Sequence, residues 1–595
     1  MVAGQTLCAP SIGAVVAVLV AQHEQVDIGQ PLVIIEAMKM QTTVCADVSG
    51  VVSQVLVLLG DECVVGMPLV EIQPRNKSKK TFEQSSSTNN VNQSLLDELK
   101  ARQALTLDKL RIEQQQKRHQ KGYLTARENL QNLCSVESFI EYGQMAVAAQ
   151  RLRRDYAELK SATAADGVIT GIGQINQQLV SETRSQTAIV INDFSVLAGT
   201  QGYFHHLKLD RILTVAAERQ YPVVMFTEGG GGRPGDTDIT TVNSGLQCKS
   251  FANWASLQGK VPRIAVANGY CFAGNAALFG AADITIATHT SWIGMAGPAM
   301  IEGGGLGLVN PTDIGPSGKQ AKNGVIDILA ENEQEAAEIA KKCLLYFQGP
   351  LLDGHKNTFA DQLLLNQALP EDRRFVYEVR DIINTLADTG TFTEVKPQFG
   401  AAIVTGFMHL QGKPVGVIAS NCKVLGGAID VDAGEKASQF MRLCQQFSLP
   451  LIVLCDTPGF MVGPEHEDKG AVRRLSQLFV AGSQLTVPLV AVVLRKCYGL
   501  GAQALLGGHT SQPSYTIAWP TGEFGAMGLE GAVKLGFKKE LAAVNDATAR
   551  QALYEKLLAD QYQKGQAQEV ASVLEIDAVI VPADTRKTLI LALFG

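Results

Sequence analysis

Glu36-Ala37-Met38-Lys39-Met40 lies between two apolar stretches that repeat each other. Gly13 matches Gly50, Val15 matches Val52, and Gly29-Gln30-Pro31-Leu32-Val33 matches Gly66-Met67-Pro68-Leu69-Val70, each pair 37 positions apart. A period of that size builds a domain from two similar halves, and the Val- and Ile-rich runs between Gly turns read as short strands. Lys39 occupies the connection between the halves. A bare Met-Lys-Met is most simply a solvated turn between core residues. Set between two matched half-domains, the lone amine is instead a candidate attachment point for a covalent group carrier.

The 595 residues are enough for three or more compact units, each able to bury its own core. A net charge of −7 argues against a general nucleic-acid or anionic-membrane role. The eleven cysteines are scattered, with no C-x-x-C pair, so zinc ribbons, redox dithiols and disulfide scaffolds are disfavoured, and reduced thiols in a cytoplasmic enzyme are expected. Arg495-Lys496 interrupts the longest apolar run, near Val487 to Leu506, so no membrane span is expected. The first residues carry no basic segment of the secretory type.

Residues 1–73 are read as the carrier domain. Residues 74–93, rich in Lys, Ser and Asn, read as a flexible linker, whose roughly 20 residues span about 25 Å at root-mean-square scaling. Residues 94 to about 165 show a helical, charged pattern with little strand character. From Gly167 short β runs alternate with amphipathic helices, which implies α/β architecture.

A second, larger repeat runs through this region. One copy has a helix over Phe204 to Gln220, then Tyr221-Pro222-Val223-Val224, a loop at Gly229 to Gly232, a strand from Val261-Pro262 to Val266, and a turn at Gly269 to Gly274. The other has a helix over Glu435 to Phe447, then Leu449-Pro450-Leu451-Ile452, a loop at Pro458-Gly459, a strand from Val487-Pro488 to Val493, and a turn at Tyr498 to Gly501. One α/β unit present twice places its two halves at 94–350 and 351–595 and points to a site built from equivalent parts.

Gly269-Tyr270-Cys271-Phe272-Ala273-Gly274-Asn275 and Arg495-Lys496-Cys497-Tyr498-Gly499-Leu500-Gly501-Ala502 occupy matching places in the two copies. Small residues between a strand and a helix let a carbonyl oxygen approach free backbone N–H groups, which stabilise developing negative charge. Glycines also serve tight strand-to-helix turns; the pairing of two such turns favours chemistry. The chain has nine His and no Ser/His/Asp or Cys/His signature. Cys271 and Cys497 read as small packing residues, and His205-His206 as structural.

Residues 1–73 resemble a biotinyl (biotin carboxyl carrier) domain, with Glu36 to Met40 matching the biotinylation motif; Met38 and Met40 distinguish it from lipoyl domains. From about Arg118 onward the chain resembles the biotin-dependent acyl-CoA carboxyltransferases. The resemblance rests on His119 to Glu128, Asn192-Asp193-Phe194-Ser195-Val196, Asn421 to Asp432, Asp456-Thr457-Pro458-Gly459-Phe460, Arg495 to Gly499, Ala518-Trp519-Pro520, Met527-Gly528 and Gly531-Ala532-Val533. It implies an all-β biotinyl domain followed by two α/β crotonase-like (ClpP-like) domains, with covalent biotin on Lys39 and no metal. It implies that carboxybiotin delivers carbon dioxide to the α-carbon of an acyl-CoA, acetyl- or propionyl-CoA-like, with biotin serving as base. On this basis the amides of Ala273 and Gly274 bind the thioester oxygen, and those of Leu500 and Gly501 bind the biotin ureido oxygen.

Gly229, Gly230 and Arg233 then correspond to the family's stretch near the CoA adenine and phosphates, where Arg233 either binds an anion or is a solvated loop charge. Both turns depart from the family's usual residues, and Phe272, Asn275, Leu500 and Gln503 would reshape the acyl pocket. The resemblance further implies a separate ATP-dependent biotin carboxylase subunit, a biotin protein ligase and a homo-oligomer, expected to be hexameric, with sites between protomers. A biotin-dependent decarboxylase or transcarboxylase uses the same two halves with a different donor or acceptor, and a non-catalytic biotin carrier or assembly scaffold is the reading of another class.

Overall fold

Gly13 and Gly50 each stand where any side chain would collide with a neighbouring strand, and they do so in the same way. A Cβ on Gly13 would strike the Glu36 carbonyl and Ile35 Cγ2; one on Gly50 would strike the Gln73 carbonyl and Ile72 Cγ2. Every partner is displaced by the 37-residue period. In the computed structural model, which describes residues 4–75, 87–240, 244–354 and 357–595, the chain divides into two units, Met1–Ala101 and Arg102–Gly595.

The first unit holds two four-stranded antiparallel sheets. One orders its strands as Gln5–Cys8, Pro68–Pro74, Gly50–Val55 and Gln25–Val26. The other orders them as Met40–Cys45, Pro31–Ala37, Gly13–Val18 and Glu62–Cys63, which is the first order shifted by one period. Leu32 and Leu69, and Ile35 and Ile72, are matched, fully buried core residues. Even the loops repeat: the Ala21 N–H donates to the Glu24 carboxylate and the Leu58 N–H to the Asp61 carboxylate. The 37-residue repeat is thus a pseudo-twofold sandwich.

The second unit contains two further sheets of one design. In the first, the strands run in the order Ile328–Ala330, Ile284–Thr288, Arg263–Ala267, Val223–Phe226, Gln186–Asn192, Val168–Gln174 and Ile140–Tyr142. In the second, Thr393–Val395, Ile403–Leu410, Lys413–Ser420, Leu451–Thr457, Leu489–Tyr498, Tyr515–Ala518 and Ala578–Val579 follow one another, and Glu523–Gly525 pairs beside the end of Leu489–Tyr498. Registers agree as well: Ala188 faces Val223, which faces Arg263, and Gly416 faces Leu451, which faces Leu489. The parallel strands are buried on both faces, which is why they read as unbroken apolar runs. The helices Tyr203–Arg219 and Val431–Gln446 are the crossovers into Val223–Phe226 and Leu451–Thr457. The halves assigned to 94–350 and 351–595 share one core, in which Tyr346 stacks on Phe407 with centroids 5.2 Å apart.

Two expectations need adjustment. Within the stretch 74–93, Pro74 closes a strand and residues 87–93 belong to the helix Ser87–Ala104, while 76–86 lie outside the described residues. The helix formers of Leu95 to Ala104 extend the helix back into polar sequence that reads as loop. The region 94–165 also contributes the edge strand Ile140–Tyr142, too short to show a period of two.

Lys208 and Lys436, 228 positions apart, are buried on the two crossover helices. Each Nζ donates to two main-chain carbonyls: those of Ala165 and Val168 in one half, and those of Lys396 and Ile403 (both 2.7 Å) in the other. Burial pulls the Lys208 amine down to about 8 and that of Lys436 down to about 7. Between pH about 7 and the ordinary lysine value of 10.5, the folded chain holds fewer protons at Lys436 than the unfolded chain, so raising the pH through this window favours folding. The stability difference between wild type and Lys436→Met, measured by urea unfolding, is expected to move toward the wild type as pH rises; a pH-independent difference contradicts this.

Candidate active site

Lys39 stands at the tip of a two-residue hairpin. Ala37 pairs with Met40, and Met38 and Lys39 both have positive φ, 51° and 66°, as a type I′ turn requires. Neither residue is of the Asn-Gly kind that adopts this turn freely, so the tip is held by the paired strands on either side. Met38 is 98 % exposed and Met40 74 %. The Lys39 amine makes no hydrogen bond or ion pair among the described residues, and it protrudes as an acylation target must.

The second unit carries two matching loop clusters. In the first half, Leu197, Ala198 and Gly199 are three consecutive left-handed residues, and Gly199 presses against the Glu228 carbonyl. In the second, Leu425, Gly426 and Gly427 repeat the conformation, and Gly427 presses against the Asp456 carbonyl. Gly231 and Gly459, with φ of 93° and 117°, occupy corresponding places in the neighbouring loops. The Gln201 N–H donates to the Gly231 carbonyl and the Arg233 N–H to the Gln201 carbonyl; Ile429, Gly459 and Met461 form the same ladder.

Against these loops lie the two turns. The strand Tyr270–Phe272 leads into the helix Gly274–Gly280, and the strand Leu489–Tyr498 into the helix Gly499–Leu505. Ala273 and Gly499, the counterpart residues, both have positive φ, 52° and 62°. Ala273 at φ 52°, ψ −120° occupies a region that glycine alone adopts without cost. Among the described residues, the N–H groups of Gly274 and Asn275 in the first turn, and of Leu500 and Gly501 in the second, have no acceptor.

The turns differ from the sequence expectation in several places. The Ala273 N–H donates to the Gly294 carbonyl at 3.0 Å, so it is occupied; the free pair matching Leu500 and Gly501 is Gly274 and Asn275. The Asn275 side chain is fully buried, donating to the Gly199 carbonyl at 3.2 Å and accepting from Asn192 at 3.4 Å, so it fastens the loop rather than facing a substrate. Phe272 is buried, with its N–H on the Gly229 carbonyl. Gly229 is pinned between Tyr270 and Phe272, while Gly230 is exposed and donates to Ala198. The Arg233 guanidinium is enclosed, bonded to Asp166 at 2.6 Å and to the Thr200 carbonyl at 2.9 Å, with Asp236 at 3.5 Å; its charge is neutralised internally and is not offered to a phosphate. Leu500 and Gln503 are exposed, whereas Gly501 packs on the Gly459–Phe460 backbone too closely for any side chain.

Charged residues that the sequence pattern did not single out brace both turns. Arg118 forks onto Glu228 with two 2.8 Å bonds and lies over Tyr123. Burial raises the Glu228 carboxyl, with Arg118 opposing. At the matching place, Asp456 is fully buried between Arg495, at 3.0 Å, and Lys496, at 2.7 Å, and accepts from the Tyr377 hydroxyl. Burial acts to raise its carboxyl, but Lys496 and Arg495 outweigh it and hold the group below the usual carboxylate range. The sequence signals for these acids are the place of Asp456 at the head of Asp456-Thr457-Pro458-Gly459-Phe460 and the 228 positions that separate it from Glu228. Burial also raises the Cys271 thiol to about 12, in keeping with a packing role, and His205 is buried and held well below its ordinary value. No group of three or more metal-ligating side chains is found among the described residues, and none of the described helices is long and apolar enough to cross a membrane.

The fold joins a sandwich that presents a hairpin lysine to a duplicated α/β unit whose two turns carry free backbone amides. The carboxyl transferase domain model matches residues 117–594, and the model of the biotin-requiring enzymes matches residues 5–72. The methylmalonyl-CoA carboxyltransferase 12S subunit of Propionibacterium freudenreichii subsp. shermanii is 33 % identical over 489 residues, 80 % of this chain and 89 % of that subunit. The structure of a single-chain, multi-domain long-chain acyl-CoA carboxylase superposes with a TM-score of 0.80 at 42 % identity, covering 99 % of this chain. This chain spans 56 % of that carboxylase's length. The transcarboxylase 12S hexamer crystallised with methylmalonyl-coenzyme A superposes with a TM-score of 0.74 at 28 % identity, covering 86 % of this chain and 96 % of that one. The chain belongs to the carboxyl transferase family, with a biotinyl domain fused ahead of the transferase. It is a biotin-dependent carboxyltransferase whose cofactor is covalently attached biotin.

Ala273→Gly is expected to stabilise the protein by about 1 kcal/mol, as relief of backbone strain exceeds the added unfolded-state freedom; a lowered melting temperature refutes it. Asp456→Asn leaves Arg495 and Lys496 buried without their counter-charge and is expected to cost about 3–5 kcal/mol in urea unfolding.

Proposed function

We propose that this chain carries a carboxyl group on biotin attached to Lys39 and transfers it to the α-carbon of an acyl-CoA. The observation that carries this reading is the presence in one chain of a protruding hairpin lysine and two matched turns with free amides. Attached biotin supplies the transferable carboxyl group and the base. The chain's own residues supply position and charge stabilisation. Gly274 and Asn275 present N–H groups to the thioester oxygen as it gains charge on enolisation, and Leu500 and Gly501 present theirs to the ureido oxygen at the other turn. Because backbone amides do this work, departures from the usual family residues at these turns alter the pocket and leave the donors in place.

The acyl-CoA substrate class is supported by the names of the relatives. A hexamer is supported by the transcarboxylase 12S hexamer assembly, and we assign each site to the boundary between protomers within it. An ATP-dependent biotin carboxylase and a biotin protein ligase are the partners that load Lys39, and the cytoplasm is the assigned compartment. Lys39→Arg is expected to abolish the streptavidin-detectable label and the carboxylation of acyl-CoA by the chain combined with a biotin carboxylase, ATP and bicarbonate. A retained label refutes the attachment site. Comparing acetyl-, propionyl- and longer acyl-CoAs in the same assay identifies the acyl chain.

A further inference from the structure

Superposing the two halves on their 228-residue spacing gives each loop residue a partner with the same backbone role. Gln201 pairs with Ile429: each donates its N–H to the left-handed glycine of the neighbouring loop, Gly231 or Gly459, and each accepts from the residue two beyond, Arg233 or Met461. Ile429 is fully buried in apolar surroundings, so the scaffold is served by a hydrocarbon at this position. Gln201 is only 3 % exposed, yet its Nε2 finds no hydrogen-bond partner among the described residues. A buried, unpaired carboxamide destabilises the fold unless something else satisfies it.

The carboxamide is also aimed. Its oxygen and the Phe251 ring occupy the space where a Gly274 side chain would stand, so it packs against a residue whose N–H is free. A half-turn of the terminal amide exchanges oxygen and nitrogen without changing its shape. Phe251 is itself partly exposed to solvent.

We propose that the Gln201 side chain is a third hydrogen-bond donor at the first turn, binding the thioester oxygen of the acyl-CoA beside the Gly274 and Asn275 amides. This rests on the carboxyltransferase reading. It makes the two turns chemically unequal: the Ile429 turn offers backbone donors alone, whereas the Gln201 turn adds a side-chain donor whose strength and geometry a substitution can alter.

The test uses the full chain and two ligands, an acyl-CoA thioester and the matching S-alkyl-CoA thioether, which lacks the carbonyl oxygen. Wild type is expected to bind the thioester more tightly, and Gln201→Met, close in volume but unable to donate, is expected to lose about tenfold of that preference. Its kcat/KM for the thioester should fall by at least a similar factor, with KM rising in step with the weaker binding, while streptavidin labelling at Lys39 is unchanged. Gln201→Ile copies the other half and serves as the second variant should Met disturb folding. An unchanged thioester-to-thioether ratio in a folded variant overturns the Gln201 assignment alone. Failure of wild type to bind either ligand overturns the acyl-CoA reading of the site, and the assignment with it.

Discussion

The transferase unit depends on the close approach of two backbones, made twice. Three successive left-handed residues end in Gly199 or Gly427, and each glycine seats against the carbonyl of a buried acid, Glu228 or Asp456. Left-handed backbone is costly for Leu197, Ala198 and Leu425, and a Cβ at the closing glycine has no room. The contact therefore persists only because the loops on both sides are fixed by the ladders through Gln201 and Ile429. Those ladders in turn set the Gly231 and Gly459 loops on which the two turns rest.

Buried charge supports the same geometry. The acids beneath the turns are neutralised by different cations, a distant Arg118 in one half and the adjacent Arg495 and Lys496 in the other. The crossover lysines, by contrast, are conserved between the halves in position and in what they do, each donating to two carbonyls of a strained segment. Stripping an ammonium of water is expensive, and the lowered pKa values at both lysines reflect that cost. Duplication has preserved these bracing lysines and allowed side chains on the loop ladders to diverge, as Gln201 and Ile429, or Arg233 and Met461, show.

Both repeats were legible as spacings, because apolar periodicity and Gly-Pro punctuation follow directly from which side chains face a core. The 37-residue period foretold a domain of two similar β-rich halves, and the Pro-strand-turn series foretold the order of the α/β elements. Less legible was the fate of polar side chains. Arg233 and Asn275 read as ligand-facing groups and prove to be fastened within the protein, while Gln201 lies in a stretch with no motif of its own. A one-residue offset also separated the reading of the first turn from its geometry, since the Ala273 amide is claimed by Gly294, a residue on a strand that only the folded sheet brings alongside.

What the sequence by itself determined is the modular plan: a carrier sandwich with Lys39 between its halves, then one α/β unit written twice. These follow from local patterns, in which each residue's role is set by its neighbours in the chain. What only the tertiary structure decided is which amides and side chains remain free. That is settled by partners tens of residues away, such as Gly294 for Ala273, Asp166 for Arg233 and Gly199 for Asn275. Hydrogen bonds are satisfied in space rather than along the chain.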